Sequence, residues 1–184
     1  MKKKSLLVKI LFAVAAVFVV LLLVIAAQPS AFRITRSLAI AAPPATVFAH
    51  VNDLHQWGAW DPWAKLDPNA RTTFTGPDAG VGATMAWDGN SHVGTGQMTV
   101  TESRPGELVR FRMDFQKPME ATSTAEFTFQ PDGQQTRVTW TMSGQNNFVG
   151  KAFGLFVNCD QMVGGQFETG LAALKTIAET AAAK

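Results

Sequence analysis

One unbroken apolar run and two periodicities divide this chain. From Leu6 to Ala27 every position except Lys9 is apolar, so the segment has no polar face. A helix needs about 20 such residues to cross a bilayer core, and a buried helix of a soluble domain ordinarily keeps a polar stripe. Lys2, Lys3 and Lys4 precede the run and no comparable basic cluster follows it. That asymmetry predicts a cytoplasmic N-terminus and a domain on the periplasmic or extracytoplasmic side of an inner membrane. The competing reading is a cleaved signal peptide, with Ala26, Ala27 and Ala31 near the cut. Ordinary signal sequences have an apolar region of only ~7–15 residues, which favours the uncleaved anchor. Residues 1–27 are therefore read as tail and anchor, 28–32 as a linker and 33–180 as the folded domain.

Beyond the linker the period falls to two. Ile34, Leu38 and Ile40 alternate with Arg33, Thr35 and Ser37, predicting a strand over Arg33–Ile40. Pro43-Pro44 ends it and opens a short helix carrying Val47, Phe48 and Val51, because proline suits the first helical turn. The segment from His55 to Trp63 is too punctuated by glycine and proline for one regular helix. Alternation then predicts strands over Arg71–Thr75, Gly82–Trp87, Gly94–Glu102, Glu107–Gln116, Glu120–Gln130 and Thr136–Gly144. Short Gly, Pro and Asp turns join them, which favours antiparallel pairing. Val109, Phe111, Met113 and Phe115 fall on one side and Arg110, Arg112 and Asp114 on the other, so one face is dry and one wet. Val163, Phe167, Leu171, Leu174 and Ala178 then recur at helical spacing and supply the cover. Phe148, Val149, Phe153 and Phe156 suggest a shorter helix before it. The expected class is α+β, a curved antiparallel sheet of about seven strands wrapped on a long C-terminal helix.

Charge excludes one function class. Four of the 16 basic residues, Lys2, Lys3, Lys4 and Lys9, precede Arg33, and none of the 14 acidic residues does. The domain thus carries 12 basic against 14 acidic residues, a net charge of −2, which gives no support to nucleic-acid binding. Cys159 is the single cysteine, so no internal disulfide forms and the core alone must stabilise the domain.

The order of elements resembles the helix-grip fold of the SRPBCC superfamily, also called START-like or polyketide cyclase/dehydrase-like. Local stretches match that resemblance: Ala41-Ala42-Pro43-Pro44-Ala45-Thr46-Val47-Phe48, Trp57 and Trp60 with Pro62-Trp63, Gly94-Thr95-Gly96 with Pro105, and the run from Met162 to Leu171. It spans about Arg33 to Glu179, and the N-terminal anchor lies outside it. The resemblance implies a deep, largely apolar cavity between sheet and final helix. It implies no shared catalytic motif.

Residues placed to line such a cavity are Met85, Trp87, Met98, Phe111, Met113, Phe127, Trp140, Met142, Phe156 and Met162. Flexible methionines adapt to irregular apolar ligands, although a plain packed core has the same composition. Trp57, Trp60 and Trp63 are candidates for the cavity rim, with a packed lid as the structural alternative. His50, His55 and His92 lack metal-ligand spacing, and no nucleotide or nucleophile motif stands in its required context. Asn158, Asp160 and Gln161 interrupt the apolar pattern beside the cavity set, and a helix N-cap is the plainer role for Asp160. The expectation is a membrane-anchored binder of an apolar small molecule or lipid, with no catalytic residue, metal or cofactor assigned. A cyclase or dehydratase acting on a polyketide-like substrate, and an envelope interaction module, are the alternatives.

Overall fold

The computed structural model describes residues 2–183, with side chains from residue 7 onward. The basic cluster Lys2–Lys4, on which the expected orientation rests, lies outside the described side chains. The chain divides into two compact units, Met1–Phe32 with Gln145–Asn158, and Arg33–Gly144 with Cys159–Lys184.

The smaller unit holds two helices. The first, α1 (Lys2–Ala27), includes a 21-residue apolar stretch, Leu7–Ala27, long enough to cross a membrane. Its side chains are exposed from Leu7 to Val24, and Ile25 is buried. The second, α3 (Phe148–Phe156), opens at Asn147, whose side chain accepts a hydrogen bond from the Gly150 N–H at 2.8 Å. That bond satisfies one of the four amides every helix start leaves without a partner. The Lys151 ammonium donates to the Ala26 carbonyl at 3.2 Å, and the Asn146 N–H donates to the Ser30 carbonyl at 2.8 Å.

In the larger unit a seven-stranded sheet runs in the order β1-β7-β6-β5-β4-β3-β2. Its strands are β1 (Ala31–Ile40), β2 (Arg71–Thr75), β3 (Thr84–Asp88), β4 (Thr95–Arg104), β5 (Leu108–Lys117), β6 (Ala121–Asp132) and β7 (Gln135–Gln145). From β2 through β7 successive strands are antiparallel neighbours, and the chain's first strand closes the sheet beside its last. Each expected strand exists, within a few residues of its expected bounds. The tightest hairpin joins β6 to β7, where Asp132 pairs with Gln135 and Gly133 takes φ +63°. A two-residue turn needs positive φ there, which glycine accepts without steric cost.

Helix α2 (Pro44–Asn52) starts on Pro44 and buries Val47 and Val51. Two short 3-10 turns follow, Leu54–Ala59 and Trp63–Lys65. They bring tryptophans back onto the end of α2: the Trp57 indole N–H donates to the Val51 carbonyl at 2.8 Å, and that of Trp60 to the His50 carbonyl at 3.2 Å. Carbonyls that the helix end leaves without partners are satisfied in this way.

Helix α4 (Cys159–Ala182) lays Phe167, Leu171, Leu174 and Ala178 on the dry face, together with Gly164 and Gly170. Gly170 permits close approach, since a Cβ there would stand 2.9 Å from Trp140 Cζ3 and 3.0 Å from Pro62 Cδ. The wet face carries the charge: the Arg110 guanidinium bridges Glu126 at 2.7 Å and also reaches Glu102, and Arg112 pairs with Asp114 at 3.0 Å. The architecture is the helix-grip arrangement expected from the sequence pattern.

Candidate functional site

Strand register sorts the dry face into rows that cross the sheet, and burial falls from one row to the next. Val109, Phe127 and Trp140 lie opposite one another and all are buried. The next row, Val100, Phe111, Ala125 and Met142, is buried except for the half-buried Met142. In the third, Met98 and Ser123 are buried while Met85 and Met113 are half-buried. The fourth is Trp87, Gly96, Phe115 and Ala121, with Trp87 and Phe115 half-buried and Ala121 exposed.

Aromatic rings fill the space over the first rows. Trp140 stacks on Phe167 of α4 at 4.1 Å between centroids and 10° between planes, and packs on Phe127 at 4.6 Å. Trp57 and Trp60 lie 4.5 Å apart and meet Phe111 and Phe127 edge-on at 5.3 and 5.9 Å. Trp63 closes the group against Trp140 and Phe167. Two of the three tryptophans expected at a cavity rim, Trp57 and Trp60, are thus interior residues. The reason is that their indole N–H groups turn inward onto the α2 carbonyls. Trp63 alone is half-buried.

The ten cavity candidates separate by place. Met98, Phe111, Phe127 and Trp140 belong to the closed interior. Met85, Trp87 and Met113 are half-buried on the last two rows and form, with Phe115, an apolar face that the core does not consume, while Met142 is half-buried on the second row. The Trp87 ring lies over Gly96, where a Cβ would come within 2.6 Å of Cζ2, and meets Phe115 edge-on at 5.9 Å. An open surface concavity of about 360 Å³ lies at this end of β5 and β6, and its wall is mostly polar: Asp114, Gln116, Glu120 and Thr122 line it with Phe115 and Ala121. Phe156 and Met162 are 79 % and 51 % exposed. Helical spacing alone could not assign them, because Phe156 is the last residue of α3 and Met162 lies in the first turns of α4, where the periodic pattern is cut short on one side.

Polar groups near the interior are few. Burial pushes the Asp61 carboxyl up to about 6, and a hydrogen bond from the Trp63 N–H at 3.2 Å only partly offsets it. The Trp140 indole N–H is buried and has no hydrogen-bond partner among the described residues. The sequence places Trp140 among the cavity candidates without showing the state of its N–H, and for Asp61 the available signal is its place between Trp60 and Pro62-Trp63. Asp160 is not a cap. It sits in the first turn of α4 and pairs with Arg36 at 3.0 Å, which holds its carboxyl below the usual carboxylate range.

The histidines do not converge. His50 Nδ1 meets Gln56 Oε1, His55 Nδ1 lies 3.2 Å from Asp53 and its ring stacks on Phe74 at 4.2 Å, and His92 is exposed. Among the described residues no three His, Cys, Asp or Glu side chains gather as a metal site.

Comparison with known proteins bears on this geometry. No curated protein sequence matches the chain. Among solved structures, protein CV1439 from Chromobacterium violaceum is similar over 83 % of this chain and 99 % of its own, with TM-score 0.58 and 17 % identity. Truncated norcoclaurine synthase from Thalictrum flavum is similar over 82 % of this chain and 94 % of its own, with TM-score 0.59 and 13 % identity. The di-domain ARO/CYC StfQ from the steffimycin biosynthetic pathway gives TM-score 0.61 and 12 % identity over 84 % of this chain and 53 % of its own. At such identities these likenesses establish the fold. The sequence pattern of the family described as polyketide cyclase / dehydrase and lipid transport matches residues 31–179, and the chain belongs to that family.

Proposed function

We propose that this protein holds an apolar small molecule or lipid against the half-buried rows of its sheet, beside a membrane in which α1 anchors it. One observation carries the reading: Met85 and Met113, with Trp87 and Phe115, form a contiguous apolar face outside the filled aromatic interior. Ligand sites are typically apolar with few polar groups, and methionine suits irregular hydrocarbon. The deep part of the expected cavity is occupied by tryptophan and phenylalanine rings, so the ligand rests on the outer rows. The 21-residue apolar stretch of α1 supports single-pass anchoring, with the N-terminus in the cytoplasm and the larger unit outside.

The test is photocrosslinking. The full chain in detergent-free vesicles is exposed to a diazirine-bearing fatty acid, and crosslinked peptides are mapped by mass spectrometry. Adducts on β3–β5 that fall several-fold in Met85→Gln/Met113→Gln agree with the proposal. Adducts confined to the N-terminal 27 residues, or indifferent to that double substitution, refute it.

A second reading, an enzyme acting on a polyketide-like substrate, draws on Asp61, whose carboxyl is poised near pH 6 as a general acid or base requires. The family's cyclase members favour it. Turnover of a polyketide-like substrate that is lost in Asp61→Asn, with binding unchanged, is its signature.

A further inference from the structure

The helix α3 offers an apolar face that nothing in its own unit covers. Phe148, Val149, Phe153 and Phe156 are between 46 % and 79 % exposed. At 100° per residue these four, with Ala152, fall within about 140° of the helix circumference. Lys151, the helix's one charged residue, falls outside that arc. It is a short amphipathic helix whose dry side faces away from its neighbours, and exposed apolar patches of this kind mark interaction surfaces.

Its position names the occupant. The Lys151 ammonium donates to the Ala26 carbonyl at 3.2 Å, in the last turn of the apolar stretch of α1. The residue leading into α3, Asn146, donates its N–H to the Ser30 carbonyl, three residues beyond the end of α1. Both ties fix α3 at the end of α1, where a spanning helix leaves hydrocarbon for the headgroup layer. Helices with phenylalanine on one side and a lysine on the other lie in that layer, with the apolar side ~5–10 Å into the acyl boundary. A lysine at such a site keeps its charge toward the polar side.

We infer that α3 is a second membrane contact: it lies in the bilayer interface at the exit of α1, with Phe148, Val149, Phe153 and Phe156 among the lipid chains. The inference rests on the anchoring of α1 proposed above.

The experiment is site-directed spin labelling of the full chain in phosphatidylethanolamine/phosphatidylglycerol vesicles, on a Cys159→Ser background. Nitroxides are placed through Phe153→Cys, Phe156→Cys, Val17→Cys and Thr180→Cys, and collisions with oxygen and with a water-soluble nickel chelate are compared. Circular dichroism checks that each variant retains its helices and sheet. The expected result is an oxygen-to-nickel ratio at 153 and 156 several-fold above that at 180, approaching the ratio at 17. A lipid signal at 17 with water at 153 and 156 overturns the interfacial helix alone. Water at all four positions overturns the anchor as well. Broadening at 153 that disappears on dilution with unlabelled chain identifies a second copy as the occupant and also overturns the inference.

Discussion

The guanidinium of Arg36 lies in the notch left by Gly164. A Cβ on Gly164 would collide with Arg36 Nη2, and the same guanidinium pairs with Asp160 at 3.0 Å and Glu168 at 2.7 Å, one turn to either side. Sequence spacing of four residues puts Asp160, Gly164 and Glu168 on one helix face, so a single strand residue clasps two turns of α4. The paired carboxylates push the Arg36 guanidinium pKa up, so it stays charged across the working pH range. The prediction is counterintuitive for a helix. Gly164→Ala removes a poor helix former, a change worth ~1 kcal/mol in an open helix. Here it should lower Tm, and adding Arg36→Ala should recover part of the loss. A thermal-melt double-mutant cycle with no coupling between the two positions sinks this account.

Substitution on the closed rows should cost far more than on the open ones. Trp60→Ala or Phe127→Ala removes a buried ring and should destabilise by about 3–5 kcal/mol. Met85→Gln and Met113→Gln, being half-buried, should leave the denaturation midpoint nearly unchanged while weakening fatty-acid binding. Equal losses of stability in the two groups would place the methionines in the core.

Gly96 is the seat of the Trp87 ring. A methyl group at position 96 must displace Cζ2 or the Asp114 carbonyl, which a Cβ would approach to 2.7 Å. Gly96→Ala should therefore cost about 1–3 kcal/mol as overpacking does. It should also shift the emission of Trp87, measurable as the difference between parent and Trp87→Phe spectra. An unchanged difference spectrum would mean that the ring does not rest there in solution.

Folding raises the Asp61 carboxyl from its ordinary 3.8 to about 6. The folded chain therefore binds that proton more tightly than the unfolded chain does. Stability is greatest, for this group, below about pH 4 and falls as pH rises to about 6, reaching a loss of roughly 3 kcal/mol above it. Asp61→Asn keeps the shape without the charge. Its melting temperature should exceed the parent's at pH 7.5 and match it near pH 4; a constant offset at both would contradict the buried carboxyl.

Strand pattern, turn residues and the amphipathic stripe of α4 made the architecture legible, because sheets and helices write their burial into the sequence with periods of 2 and 3.6. The alternation identified the dry face through Val109, Phe111, Met113 and Phe115. It could not say how far along each strand the interior extends. That limit is set by Trp57 and Trp60, which reach back to α2 carbonyls and fill the space above Phe111 and Phe127. Long-range contacts of that sort leave no periodic trace. The same holds for Arg36 with Gly164, a pair more than a hundred residues apart, and for α3, whose ties to α1 depend on a lysine–carbonyl bond rather than on its apolar pattern.

The sheet places its first strand beside its last. On the ribosome β1 is made early, yet its partner β7 follows only after roughly a hundred more residues, a delay on the order of 10 s at ordinary rates of synthesis. The ladder from β2 to β7 can zip hairpin by hairpin as it is made, since those neighbours are adjacent in sequence. Closure by β1 is the slow, long-loop event. Until it happens, the apolar side chains of Ile34 and Ile40 have no sheet to enter, and the half-built sheet must wait for its last strand.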